Sequence, residues 1–176
     1  MNKLNVSCSG LVGWPATAAL QAPSTNPHDP MPRLVLDSNV FDELERDERT
    51  RTRLARLAAA GTVEVIVPYT VQQELAAGPL QGVPKWFPIT LEHDSVTVLP
   101  FVLGTSRLGS GETYRTHLGE SRTHMNDAKI TDAASTYYAD VLVSQDRRCR
   151  SRAAKTLGPK CQCLDYAGLV GWIENL

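Results

Sequence analysis

The feature that most restricts what this chain can fold into is an alternation of short apolar runs with helical segments. Leu34-Val35-Leu36, Val63 to Val67, Val141-Leu142-Val143 and Cys161 to Leu164 read as strands. Between them, Leu54, Leu57 and Ala58 recur at helical spacing within Thr50 to Ala60 and stop at Gly61. Ile130, Ala133, Ala134, Tyr137 and Tyr138 recur at three and four, which makes the helix opened by Asp127 the clearest of the chain. Asp37-Ser38-Asn39 can cap a helix beginning near Val40, and Thr70 is placed to cap one running through Val71 to Leu75. Prolines 79, 84, 88 and 100 forbid a long helix after Gly78, Val96 to Leu99 suits a third strand, and Glu112 to Leu118 a modest helix. Ala167 to Leu176 closes the chain as a helix. Strands alternating with helices predict a three-layer α/β/α fold with a mostly parallel, roughly five-stranded sheet.

Composition narrows the function classes. The 176 residues are 42% hydrophobic and 21% charged, an ordinary make-up for one domain. With 18 basic against 19 acidic residues, the chain has no uniformly basic coat, so a nucleic-acid site must be a local patch. No stretch approaches the roughly 20 apolar residues of a membrane span, which predicts no membrane role and a cytoplasmic setting. Residues 1–30 carry charge only at Lys3 and Asp29 and end in a proline-rich run, and so read as a flexible N-terminal tail before a domain at 31–176. A secretory signal and a translation start at Met31 are the competing readings; Ser, Gly, Trp and Pro interrupt the apolar run a signal needs. Cys8, Cys149, Cys161 and Cys163 lack CxxC spacing and read as reduced thiols, with Cys161 and Cys163 expected on opposite faces of a strand.

In open parallel sheets, sites form beyond the carboxyl ends of the strands. Asp37 follows the first strand, Asp146 follows the Val141-Leu142-Val143 strand, Asp127 opens the helix before it, and Glu74 lies early in the helix after the second. Taken singly, Asp37 and Asp127 read equally as helix caps, Glu74 as a solvated helix acid and Asp146 as a turn residue. Their joint order at strand and helix ends points to a shared pocket. Clustered carboxylates raise one another's pKa unless a cation neutralises them, so such a pocket predicts a hard divalent ion, Mg²⁺ or Mn²⁺.

Four segments carry a resemblance: Leu34-Val35-Leu36-Asp37-Ser38-Asn39-Val40, Pro68-Tyr69-Thr70-Val71-Gln72-Gln73-Glu74-Leu75, Asn126-Asp127-Ala128-Lys129-Ile130-Thr131-Asp132-Ala133-Ala134, and Val141-Leu142-Val143-Ser144-Gln145-Asp146-Arg147-Arg148. In this order the chain resembles PIN-domain nucleases, and among them VapC-like toxins of type II toxin–antitoxin pairs. The resemblance implies a metal-dependent endoribonuclease. Asp37 and Asp127 would ligate Mg²⁺ or Mn²⁺, Asp146 would ligate or share a second ion, Glu74 would orient the attacking water, and Ser144 and Asn39 would support the acids. It also implies an RNA substrate, a cognate antitoxin whose peptide covers the acidic groove, and a homodimer. The tail before Met31 and the proline-containing stretch from Gly78 to Met125 depart from the usual toxin pattern.

Arg147, Arg148, Arg150 and Arg152 form a concentrated basic run directly after Asp146, suited equally to clamping RNA phosphates and to a solvated helix face. Asp132, five residues beyond Asp127 and so displaced by about 140° on one helix, is expected to be solvated. The mixed charges from Asp42 to Arg56 predict solvated faces with i,i+4 pairs, or a surface that docks a partner. Trp86, Phe87 and Trp172 read as core or partner-facing residues, and His117 and His124 as ordinary loop histidines. Three alternatives use the same features: a non-catalytic PIN-like partner-binding module, a DNA or flap nuclease, and a phosphoacceptor receiver domain. The receiver needs paired acids after its first strand and a Lys after its last, where this chain has Cys163-Leu164-Asp165.

Overall fold

Leu34-Val35-Leu36, Val65-Ile66-Val67 and Val141-Leu142-Val143 become strands because each is a continuous run buried on both faces, the usual state of a parallel sheet, while Gln162-Cys163-Leu164 is only partly buried at its edge. A computed structural model describes residues 31–88, 91–92, 116 and 125–176. In chain order the strands are β1 (Arg33–Leu36), β2 (Glu64–Val67), a two-residue β3 (Leu91–Glu92), β4 (Val141–Val143) and β5 (Gln162–Leu164). All pairings are parallel, in the order β3-β2-β1-β4-β5. The sheet proper therefore has four strands, not roughly five, because β3 is only a two-residue pairing at the edge of β2. The strand expected at Val96 to Leu99, the tail at 1–30, His117, His124 and all but Thr116 of the helix expected at Glu112 to Leu118 lie outside the described residues.

The six helices among the described residues are α1 (Ser38–Arg46), α2 (Glu48–Ala59), α3 (Tyr69–Ala77), α4 (Met125–Thr136), α5 (Arg147–Leu157) and α6 (Tyr166–Glu174). α1 packs on α2 and α3, α2 packs on α6, and α4 packs on α5 and across β1 and β4. This arrangement is consistent with a three-layer α/β/α fold. Leu34, Leu36, Ile66 and Leu142 from the sheet meet Phe41, Leu44, Leu54, Ile130, Leu169 and Ile173 from the helices in one core. Each such fully buried side chain contributes about 1.5–3 kcal/mol.

Several local expectations change. α3 starts at Tyr69 behind an extended Pro68 with no side-chain cap, so Thr70 lies inside the first turn. α4 begins two residues before Asp127 and ends at Thr136, so Tyr138 is not on its apolar face; it is 81% exposed. Tyr138 adopts a left-handed φ of 51°, and Ala139 N–H donates to Ala134 O at 2.8 Å, the closing bond of a Schellman turn. Asp132 is fully buried, not solvated, because α4 carries α5 on one side and the sheet on another. Arg53 is not simply solvated either: it donates to Ile173 O, tying α2 to the carboxyl end of α6, while Arg49 stays in solvent beside exposed Glu174. Cys161 and Cys163 share one face, as residues two apart along a strand must, and each thiol perturbs the other. Cys149, Cys161 and Cys163 are free thiols. Phe87 and Trp172 are buried, while half-buried Trp86 donates to Glu45 at 2.7 Å beneath the Arg51 guanidinium.

Candidate active site

The strand order decides where the acids go. The chain builds outward from β1 to β2 and β3, then returns to the other side of β1 for β4 and β5. The reversal between β1 and β4 is the topological switch point, where neighbouring connections diverge and open a crevice. Leu36 is in register with Val143, so the next residues, Asp37 and Ser144, emerge side by side at the carboxyl ends. Asp37 N–H still donates to Val143 O at 2.9 Å, which pins the carboxylate at the floor of the crevice.

Asp37 is only 4% exposed, and four donors converge on it. Its Oδ2 accepts from Ser144 Oγ at 2.6 Å and from Asn39 Nδ2 at 2.8 Å; its Oδ1 accepts from Ser38 N at 2.7 Å and Ser38 Oγ at 3.3 Å. Asn39 is held in turn by Gln145 N–H, which donates to its Oδ1 at 2.9 Å. Burial pushes the Asp37 pKa up, the Ser144 and Ser38 hydrogen bonds oppose this, and the charges of Glu74 and Asp127 raise it further. The charges of Glu74 and Asp127 thus reach Asp37.

Glu74 reaches that site from the second turn of α3. Ser38 Oγ donates to its Oε2 and Asn126 Nδ2 to its Oε1, both at 2.6 Å. Ser38 thus bridges Asp37 and Glu74, and Asn126 bridges Glu74 to the start of α4, where Asp127 follows. Asp146 stands at the edge. Its Oδ1 accepts from Arg148 N at 2.6 Å and Cys149 N at 3.3 Å, capping α5, and its own N–H donates to Ser144 Oγ at 3.1 Å. Buried Cys149 lies close to Asp127, Asp37 and Asp146; burial first, and then those three charges, push its thiol pKa up.

Among the described residues no Lys or Arg forms an ion pair with Asp37, Glu74 or Asp146. Nor does any group of three or more His, Cys, Asp or Glu come close enough together to enclose a metal ion. Among the described residues these acids therefore form no closed protein cage for a metal ion.

The arginine run divides. Arg147 and Arg148 are exposed on the first turn of α5. Arg150 turns inward, donating to Ser144 O at 2.6 Å and approaching Asp165 at 3.8 Å, and half-buried Arg152 has its Nη1 in the interior. Asn126 and Gln145 carry site contacts that the sequence does not single out, and Ser38, legible only as part of a helix cap, bridges the two acids. Ser38 and Asn126 each adjoin a candidate acid and can donate to a carboxylate, which is the signal that could have found them.

Fold and site together define a parallel α/β domain with an acid-lined crevice at the switch point of its sheet. Comparisons with protein-family models, curated proteins and solved structures give no match. No described helix is long and apolar enough to cross a membrane.

Proposed function

We propose that the protein is a PIN-like, Mg²⁺- or Mn²⁺-dependent endoribonuclease, acting in the cytoplasm as the toxin of a type II toxin–antitoxin pair. The observation that carries this reading is the pairing of Asp37 and Glu74 through Ser38 at the carboxyl ends of β1 and β4, with Asp127 near enough for its charge to act on Asp37. A buried carboxylate whose neighbours are two more anions is costly unless a cation joins them.

Asp37 and Asp127 would hold the ion, with Asp146 at the edge offering the carboxylate oxygen its helix cap leaves free. A bound divalent ion supplies an acidified water, with a pKa lowered toward about 7, and offsets charge on the phosphate. Glu74, held by Ser38 and Asn126, would orient the attacking water or a metal-bound water. Ser144 and Asn39 hold the Asp37 carboxylate in place, and the Ser144 bond opposes the rise in its pKa. Arg147 and Arg148, at the rim, attract the RNA phosphates, while Arg150 steadies the Ser144 carbonyl beneath them. A homodimer and an antitoxin peptide covering the acids complete the reading by resemblance to VapC-like toxins.

A second reading, a PIN-like module that binds a partner without catalysis, is favoured by the same hydrogen bonds. Both Asp37 oxygens already accept two, and the acids do not close into a cage. The deciding measurement is cleavage of a mixed pool of structured RNAs with Mg²⁺, Mn²⁺ or EDTA, alongside Asp37→Asn. Cleavage that requires metal and disappears in the variant is expected; inert RNA with no metal binding by titration would leave the partner-binding module.

A further inference from the structure

Beside the acids, α1 and α3 diverge and leave a cleft of about 240 Å³ lined by Ser38, Asn39, Asp42, Glu74, Leu75 and the Gly78-Pro79-Leu80 turn. Ser38, Asn39 and Glu74 belong to both the cleft and the acidic site, so anything seated here lies next to the reacting position. The polar groups of those three are largely spent on one another and on Asp37, Asn126 and Gln145. Asp42 differs: it is exposed, and its carboxylate makes no hydrogen bond or ion pair among the described residues. Leu75, Pro79 and Leu80 give the cleft its apolar lining. That lining is held by a shaped turn, in which Gly82 N–H donates to Leu75 O at 3.0 Å and Gln81 takes a φ of 54°.

A cleft with apolar lining and a free carboxylate suits a group that has an apolar face and adjacent N–H donors. It repels phosphate. Among nucleobases, guanine alone presents two neighbouring donors, N1–H and N2–H, on its Watson–Crick edge, a match for both oxygens of one carboxylate. Adenine and cytosine present a single amine there, and uracil a single imino group. Unpaired bases in RNA are read in this way, splayed from the strand and bonded along that edge.

We propose that this cleft is a base-specificity subsite in which Asp42 selects an unpaired guanine next to the scissile phosphate. The inference rests on the nuclease reading and names its substrate class: single-stranded RNA with guanine adjoining the cleaved bond.

The test has two arms on the full chain. In the first, short single-stranded RNAs with guanine, inosine, adenine, cytosine or uracil beside the cleaved bond are digested by wild type and Asp42→Asn. Guanine is expected to be preferred by about tenfold or more, the scale of one good bidentate base contact. Inosine, which lacks the 2-amino donor, should fall toward the other bases, and Asp42→Asn should cleave with the preference flattened. Cleavage without base preference, or with a preference that survives in Asp42→Asn, overturns the subsite and leaves the nuclease standing. In the second arm, guanosine, inosine and arginine amide are titrated while the amide resonances of Ser38, Asp42, Leu75 and Leu80 are followed. Guanosine binding that weakens with inosine supports the subsite even if no RNA is cut, an outcome that would sink only the nuclease reading. Shifts from arginine amide but not guanosine would overturn it in favour of a partner's side chain.

Discussion

At the scale of the residue, Asp37 is where burial and hydrogen bonding oppose each other. Desolvation and the Glu74 and Asp127 charges raise its pKa, so the folded protein holds the proton more tightly than the unfolded chain does. The stability this contributes is fully present below the ordinary value of 3.8 and is lost as pH rises through the raised folded value. In EDTA, thermal unfolding of wild type should show this loss, and Asp37→Asn should remove that part of the pH slope. Adding Mg²⁺ at neutral pH should raise the wild-type melting temperature, because a ligand that binds only the native state stabilises it by mass action. Equal metal stabilisation in Asp37→Asn would place the cation elsewhere.

Elements supply the scaffold that aims these groups, and their caps can be separated from their charges. Asp146 caps α5 through Oδ1, and Asn caps about as well as Asp. Asp146→Asn should therefore keep denaturant stability within about 0.5 kcal/mol. Metal-dependent cleavage should nevertheless drop by about 10- to 100-fold, the scale on which supporting ligands act. A stability loss matching the activity loss would make Asp146 a structural cap only. Asp47 is a cap with no such second role: it accepts from Thr50 N at 3.0 Å and Thr50 Oγ1 at 2.7 Å, and Tyr166 OH donates to it at 3.1 Å. Those bonds, led by the Thr50 backbone, hold its pKa below the usual carboxylate range. The stability it adds is present above the unfolded value and is lost as pH falls through the lower folded one. Asp47→Ala should cost about 1 kcal/mol in urea unfolding at pH 7, and the difference from wild type should shrink in acid. A difference that holds constant down to low pH would exclude the ionised cap as its source.

For the molecule as a whole, the near-neutral charge makes any grip on RNA local. Only Arg147 and Arg148 of the basic run are exposed beside the acids without a partner among the described residues. Replacing both by Ala should lower the slope of log affinity against log salt for single-stranded RNA by about 1.4, or about 0.7 for each phosphate contact. Measuring this in Asp37→Asn, without metal, keeps the RNA intact. An unchanged slope would move the RNA path away from α5.

Local pattern in the chain is enough to give the alternation of strands and helices. β-branched runs such as Val141-Leu142-Val143 and the i,i+3/i+4 spacing of Ile130, Ala133 and Ala134 are local, periodic signals. It also marked the acids, because carboxylates directly after apolar strands are local facts. Tertiary structure decided what each one touches. The Leu36–Val143 register sets Ser144 beside Asp37, and the crossing of α1, α3 and α4 lets Ser38 and Asn126 hold Glu74 from two sides. It also turned Arg150 and Asp132 inward while leaving Arg147 and Arg148 exposed. Periodicity along one element says which side chains share a face, but which neighbour meets that face is a distance between segments far apart in the chain, and only packing sets it.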